Sequence, residues 1–176
     1  MRYLITITLF IVTLIISGCG ESSPYKVVFV SGTVTFDGAP VEGINVIFSP
    51  LNPDEGHTAG GITDASGKFK LTTGGLKVGK GAVPGKYNVL FEKSTNEGFG
   101  LSPEEYEKRY SFSSPQIVYQ IPRKYNSPSA SGIEPVNVES GGKNDFAFTL
   151  ISEGLDEDNA HLKKELSKPI VPSREK

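Results

Sequence analysis

Short runs of alternating apolar and polar residues, separated by glycine- and proline-rich turns, recur along most of this chain. In Gly85–Glu92 the apolar residues Tyr87, Val89 and Phe91 occupy every second position. Successive side chains of a β-strand point to opposite faces of the sheet, so this spacing places all three on one face. The pattern therefore predicts strands that each give one face to a core.

Similar runs predict about seven short strands. They are Val27–Phe36, Gly43–Ser49, His57–Thr63, Lys68–Thr72, Gly85–Glu92, Ile133–Val138 and Lys143–Leu150. Segments such as Asp37-Gly38 separate them, and these residue types favour tight turns. The composition agrees, since 20 glycines and 12 prolines favour turns over long helices. We therefore expect an all-β fold, a seven-stranded β-sandwich of immunoglobulin-like size.

The strand pattern breaks in residues 93–122, which we interpret as an insertion on the sandwich. Within it, Ser102-Pro103-Glu104-Glu105 is typical of a helix start. Serine caps the helix, proline suits its first turn, and a glutamate three residues after the serine closes a capping box. The sequence therefore predicts one short helix, Pro103–Tyr110, followed by a short strand, Ile117–Gln120.

The N-terminal segment predicts export and a lipid anchor. Met1 and Arg2 precede an apolar run, Tyr3–Ile16, that is shorter than the roughly 20 residues of a membrane-spanning helix. A basic start, a short apolar run and small residues form the layout of a secretory signal. The run ends in Ile16-Ser17-Gly18-Cys19, which resembles the lipobox of bacterial lipoproteins. That resemblance implies cleavage before Cys19 and attachment of acyl chains such as palmitate to its thiol.

Cys19 is the single cysteine of the chain, so an internal disulfide is excluded and a secreted thiol needs another role. A thioether to lipid supplies one; an ordinary cleaved signal and an uncleaved anchor helix are the alternatives. The predicted layout is a signal peptide 1–18, a lipid-anchored tether 19–26, a β-sandwich domain 27–151 and a charged tail 152–176. For the tail, a weak helix and disorder both stay open.

Four sequence segments carry a further resemblance. They are Ser31–Val46, Gly61–Phe69, Val83–Val89, and Ile121–Pro128 with Ser131-Gly132. These segments resemble the carboxypeptidase-regulatory-like, transthyretin-like sandwich domains of many small bacterial lipoproteins. The resemblance implies a transthyretin-like β-sandwich in which these segments form turns and strands. It also implies a non-catalytic protein in the cell envelope, on the periplasmic or surface face of a bacterial membrane.

Residues suited to catalysis or metal binding are scarce. The two histidines, His57 and His161, lie far apart in the sequence, and no cluster of His, Cys, Asp or Glu has the spacing of a metal site. Asp64-Ala65-Ser66-Gly67 lacks the acidic density of a calcium loop and predicts a plain turn. The formal charge of −2 leaves no basic surplus for a nucleic-acid partner. We therefore expect no enzyme, no catalytic residue, no metal and no cofactor.

The insertion and its flank hold the remaining candidate site. Aromatic residues crowd this glycine-, serine- and proline-rich stretch, among them Tyr106, Tyr110, Tyr119 and Tyr125. Aromatic side chains on loops can form a binding face for sugars or peptides. They can also cover an open sheet edge, which otherwise invites aggregation, and we prefer this simpler role.

Two functions therefore stay open. The first is a non-enzymatic, membrane-anchored lipoprotein of the cell envelope, acting as a structural or binding module toward an envelope protein or a polysaccharide. The second is a carbohydrate- or peptide-binding surface protein that uses the aromatic residues of region 93–125.

Overall fold

The computed structural model describes residues 26–74 and 79–162 of this protein. The predicted signal peptide 1–18, the predicted lipidation site Cys19 and the tail beyond Leu162 lie outside the described residues. The described chain is mostly β, as the alternating sequence pattern predicts. Its strands are β1 (Ser31–Phe36), β2 (Ala39–Pro40), β3 (Asn45–Pro50), β4 (Ala59–Ile62), β5 (Lys68–Lys70), β6 (Thr72–Thr73), β7 (Gly85–Glu92), β8 (Ser94–Asn96), β9 (Ile117–Tyr119), β10 (Val136–Val138) and β11 (Asp145–Leu150). Its helices are α1 (Pro103–Tyr110) and α2 (Leu155–Asp158), with a 3-10 turn at Arg123–Asn126.

The strands form two larger sheets and one small one. In the first sheet β11, β1 and β2 are neighbours, and β5 also pairs with β1. The second sheet has the order β10-β7-β3-β4-β6, and β8 pairs with β9 alone. All these pairs are antiparallel except β1 with β11, which is parallel.

The two larger sheets face each other across an aromatic core. Phe48 of β3 is fully buried, and its ring centroid lies 5.7 Å from that of Phe146 and 6.4 Å from that of Phe148, both on β11. Phe91 of β7 meets Phe148 from the second sheet at 5.1 Å. Every second residue of β3, β7 and β11 points into this space, because side chains of a strand alternate between its faces. The alternation read from the sequence therefore defines the core.

Described residues on both sides of segment 75–78 pair with other parts of the sheets. Thr73 lies in β6, and Val28 and Ala82 form an isolated antiparallel bridge. A Cβ on Gly81 would lie 1.9 Å from the Val28 carbonyl oxygen, so only glycine allows this close approach. The first strand is shorter than predicted: Val28 pairs with Ala82 in an isolated bridge, and β1 begins only at Ser31.

The turn at Asp64 is closed by its own side chain. Asp64 Oδ1 accepts hydrogen bonds from the Ser66 hydroxyl and N–H, both at 2.8 Å, and from the Lys68 N–H at 3.0 Å. The hydrogen bond from the Ser66 side chain, followed by those from the backbone, lowers the pKa of Asp64 below its usual value. The segment is a carboxylate-capped turn between β4 and β5, as the sequence predicts.

The long strand β7 separates two ends of the molecule. At its start Gly85 pairs with Val138, close to the Val28–Ala82 bridge; we call this end the N-terminal pole. At its finish Glu92 pairs with Asn45, and the insertion follows directly; we call this end the insertion pole. Eight residues of strand span roughly 23 Å. The chain therefore enters the fold at one end and presents its insertion at the other.

Candidate functional site

The insertion stands at the insertion pole as a small unit of its own. It consists of β8, α1 and β9, with β8 and β9 paired antiparallel from Ser94–Tyr119 to Asn96–Ile117. The Gln120 N–H donates to the Lys93 carbonyl oxygen at 2.8 Å and closes the base of the unit. The candidate residues singled out in the sequence are distributed over this unit and the 3-10 turn that follows.

Helix α1 begins where the sequence predicts. The Glu105 N–H donates to the Ser102 hydroxyl at 3.3 Å, and the Ser102 N–H donates to Glu105 Oε2 at 3.0 Å. Pro103 occupies the first turn, where its missing N–H costs nothing. The hydrogen bond from the Ser102 backbone lowers the pKa of Glu105. No residue of α1 is buried, so the capping box, rather than core packing, stabilises this helix.

Tyr106 and Tyr110 form an aromatic pair on one face of α1. Their ring centroids lie 5.2 Å apart, as expected for residues four positions apart in a helix. Gly98 lies beneath the Tyr106 ring, and a Cβ there would approach the ring to 2.5 Å. The Tyr110 hydroxyl is buried without a hydrogen-bond partner in the described part of the chain. The pair therefore presents Tyr106 outward and Tyr110 inward.

Tyr119 lines a cleft between the insertion and the sandwich. The cleft measures about 390 Å³, and its walls include Lys93, Tyr119, Arg123, Lys124 and Asp158. The Arg123 guanidinium carbon lies 5.2 Å from the centre of the Tyr119 ring, within the range of a cation–π contact. The cleft thus combines an aromatic wall with three cationic side chains and two carboxylates, those of Glu92 and Asp158.

Tyr125 belongs to the core. Its side chain is 4% exposed, and its hydroxyl accepts a hydrogen bond from the Ile151 N–H at 2.9 Å. The hydroxyl also lies 3.4 Å from the Ile151 carbonyl oxygen. The structure therefore separates the four tyrosines: Tyr106 and Tyr110 on α1, Tyr119 in the cleft, and Tyr125 beneath the end of β11.

Further apolar side chains of the insertion face solvent. Phe99 is 82% exposed and Phe112 is fully exposed, and Ile117 of β9 is about half exposed. These residues flank α1 on both sides in the sequence. Exposed large apolar residues that share one small unit are typical of interaction surfaces.

The outer edge of β9 is covered by residues that the sequence does not single out. The Tyr119 N–H donates to Asn159 Oδ1, and Asn159 Nδ2 donates to the Tyr119 carbonyl oxygen, both at 2.9 Å. His161 Nε2 lies 3.0 Å from the Ile117 carbonyl oxygen. Hydrogen bonds between side chains and backbone about 40 residues apart leave no periodic pattern in the sequence. The only local signal in this segment is the weak helix that the sequence leaves open for residues 152–176.

The histidines lie at opposite poles. His57 is in the loop between β3 and β4 at the N-terminal pole, and His161 lies against β9. In residues 26–74 and 79–162, no group of three or more His, Cys, Asp or Glu side chains could hold a metal ion. No helix in these ranges is long and apolar enough to cross a bilayer.

Comparison with known proteins adds no relative. No protein-family model, no curated protein sequence and no solved structure matches this chain.

Proposed function

We propose that this protein is a non-enzymatic lipoprotein of the bacterial cell envelope, whose transthyretin-like sandwich displays the insertion away from the membrane. The seven strands of this sandwich are β1, β3, β4, β5, β7, β10 and β11, with the two-residue strands β2 and β6 at its edges. The anchor is the acylated thiol of Cys19, and residues 19–26 form the tether. Support comes from the lipobox-like Ile16-Ser17-Gly18-Cys19 and from the absence of any other cysteine. The four segments that resemble carboxypeptidase-regulatory-like domains support the type of sandwich.

The positions of the N-terminal pole and the insertion pole support the proposal that the insertion is displayed away from the membrane. The first described residue, Lys26, is seven residues from Cys19 and precedes the Val28–Ala82 bridge at the N-terminal pole. The insertion begins after Glu92, at the far end of β7. A chain anchored through Cys19 therefore holds one pole near the membrane and turns the insertion toward its surroundings.

Metabolic labelling tests the anchor. Each buried methylene of an acyl chain contributes about 0.8 kcal/mol, so two or three chains hold the protein stably on the membrane. Cells that express the full chain are grown with a palmitate analogue, and the protein is purified. We expect a labelled wild type and an unlabelled Cys19→Ala variant; an unlabelled wild type contradicts the proposal.

A second candidate function is the binding of a carbohydrate or peptide at the insertion. Two observations favour it: the insertion exposes aromatic side chains, including Phe99 and Phe112, and a cleft lined by Tyr119 lies at its base. Aromatic residues dominate the energetics of many recognition surfaces. Tyr125 is excluded from the surface because its side chain is buried.

Paired variants test this second function. The full chain is applied to glycan and peptide arrays, and any ligand found is titrated against Tyr106→Ala/Tyr110→Ala. We expect the affinity to fall at least tenfold, because one aromatic anchor contributes on the order of 1–2 kcal/mol. Phe29→Ala, which removes an exposed aromatic ring at the N-terminal pole, is the matched control. Equal affinities for all three proteins remove Tyr106 and Tyr110 from the site.

A further inference from the structure

The segment Ser152–Leu162 occupies the place of a strand beside β9. The Asn159 amide both accepts from the Tyr119 N–H and donates to the Tyr119 carbonyl oxygen, as one residue of a neighbouring strand would. His161 satisfies the next outward carbonyl group, that of Ile117. The outer edge of β9 thus has the geometry of an open sheet edge that the chain itself has covered.

The covering segment and the surface beneath it carry opposite charges. Between Ser152 and Leu162 the chain has four carboxylates and no lysine or arginine. Lys124 Nζ lies 3.0 Å from Glu153 Oε2, and this pairing raises the pKa of Lys124. The Arg123 backbone N–H donates to Asp158 Oδ2 at 2.6 Å, and the Arg123 guanidinium lies over the Tyr119 ring of β9. The surface beside β9 therefore favours an acidic polypeptide segment.

The covering segment Ser152–Leu162, which we call the cover, is held by polar contacts at the surface rather than by burial. No residue of α2 is buried, and the Glu153 side chain is 78% exposed. Exposed ion pairs contribute little to stability, and elements with few buried contacts open at low cost. We therefore expect the cover to open at low cost.

We propose that the outer edge of β9 is a binding site for an acidic polypeptide segment of a partner protein, and that Ser152–Leu162 occupies this site until the partner displaces it. The proposal rests on the second candidate function and narrows it to a peptide ligand. The partner segment bonds the exposed main-chain groups of β9, and its carboxylates meet Arg123 and Lys124. Addition of an extended peptide to an open sheet edge is a common mode of recognition.

A peptide that copies the cover tests the proposal. The probe is a fluorescently labelled synthetic peptide with the sequence Ser152–Leu162, titrated against the full chain in detergent. The attached cover has a high effective concentration, so the wild type binds the free peptide weakly. Asn159→Ala/His161→Ala weakens the attached cover while the peptide keeps both side chains. Because each lost hydrogen bond changes an equilibrium about fivefold, we expect the double variant to bind the peptide at least tenfold more tightly.

Hydrogen exchange at single amides shows where the peptide binds and whether the double variant is folded. Hydrogen exchange of the Tyr119 amide becomes faster in the double variant and slows again when the peptide is added. Asn137→Ala, an exposed asparagine on β10 near the N-terminal pole, is the matched control and binds the peptide as the wild type does. If the double variant does not fold, Asn159→Ala alone is used, with an expected gain of about fivefold or more.

Three results overturn the proposal. The first is equal peptide affinity of the wild type and the folded variant. The second is equally tight binding of a peptide in which the asparagine and the histidine are replaced by alanine. The third is dimerisation of the variant without peptide, which assigns the edge to a second copy of the chain. None of these results changes labelling at Cys19, or ligand binding that depends on Tyr106 and Tyr110.

Discussion

At the scale of single residues, Tyr125 joins the 3-10 turn to the end of β11. Its hydroxyl accepts the Ile151 N–H, which has no strand partner at this point. Tyr125→Phe leaves that partly buried N–H without its acceptor, and we expect the free energy of unfolding to fall by about 1–2 kcal/mol. Urea denaturation measures the change. Tyr106→Phe, which removes a hydroxyl from an exposed tyrosine, should leave the midpoint unchanged; equal midpoints for all three proteins contradict this role.

Asp64 makes the stability of the fold depend on pH. Its pKa is lowered in the folded protein because Ser66 and the turn backbone donate hydrogen bonds to the carboxylate. A lowered folded pKa stabilises the fold fully above the usual pKa of aspartate, and this contribution is lost as the pH falls through the lowered value. We therefore expect the wild type to be more stable than Asp64→Asn at pH 7, and the difference to shrink below about pH 4. Urea unfolding across pH measures this, and a difference independent of pH contradicts it.

At the scale of elements, α1 depends on its cap more than on the core. Ser102→Ala removes the hydroxyl that accepts the Glu105 N–H, a change that costs about 1 kcal/mol of helix stability. Since no residue of α1 is buried, we expect the amides of α1 to exchange about fivefold faster with no change in global unfolding. Ser114→Ala, in the loop after the helix, is the control. Unchanged exchange within α1 contradicts the capping argument, and a lower global stability contradicts the independence of the insertion.

The elements that the sequence predicts best have local signals. Strand β7 matches Gly85–Glu92 because three apolar residues alternate there, and α1 matches Pro103–Tyr110 because its capping box lies within four residues. Strand β6 was not predicted as separate from Lys68–Thr72, and Ala82 was not predicted to pair with Val28, since threonine and glycine give no apolar period and the pairing is between distant segments. Strand β10 is shorter than expected and starts after Pro135, which has no N–H to donate to a ladder.

The candidate site was predictable only in part. The insertion and its aromatic residues are visible in the sequence because they interrupt the strand pattern. The separate surroundings of Tyr119 and Tyr125, which follow each other closely in the chain, depend on how the 3-10 turn packs against β7. The cover formed by Asn159 and His161 depends on a return of the chain over about 40 residues. Such contacts follow from tertiary structure and leave no local pattern.

At the scale of the whole molecule, the fold places the N-terminal end of the described chain and the insertion at opposite poles. The N-terminal pole receives the chain beside Ala82, and the insertion pole holds the cleft, the exposed aromatic side chains and the cover of β9. The distance between the two poles helps to display the insertion only if the chain is anchored to the membrane through a residue that precedes Lys26. Acylation of Cys19 is therefore the proposed property on which display of the insertion depends.

Intact-mass spectrometry of the protein extracted from membranes tests the acylation of Cys19. We expect a chain that lacks Met1–Gly18, begins at Cys19 and carries the added mass of a diacylglyceryl group, with or without a further acyl chain on the new N-terminus. The Cys19→Ala variant should lack this mass. A wild-type chain that retains residues 1–18, or that begins at another residue without lipid, would contradict acylation at Cys19.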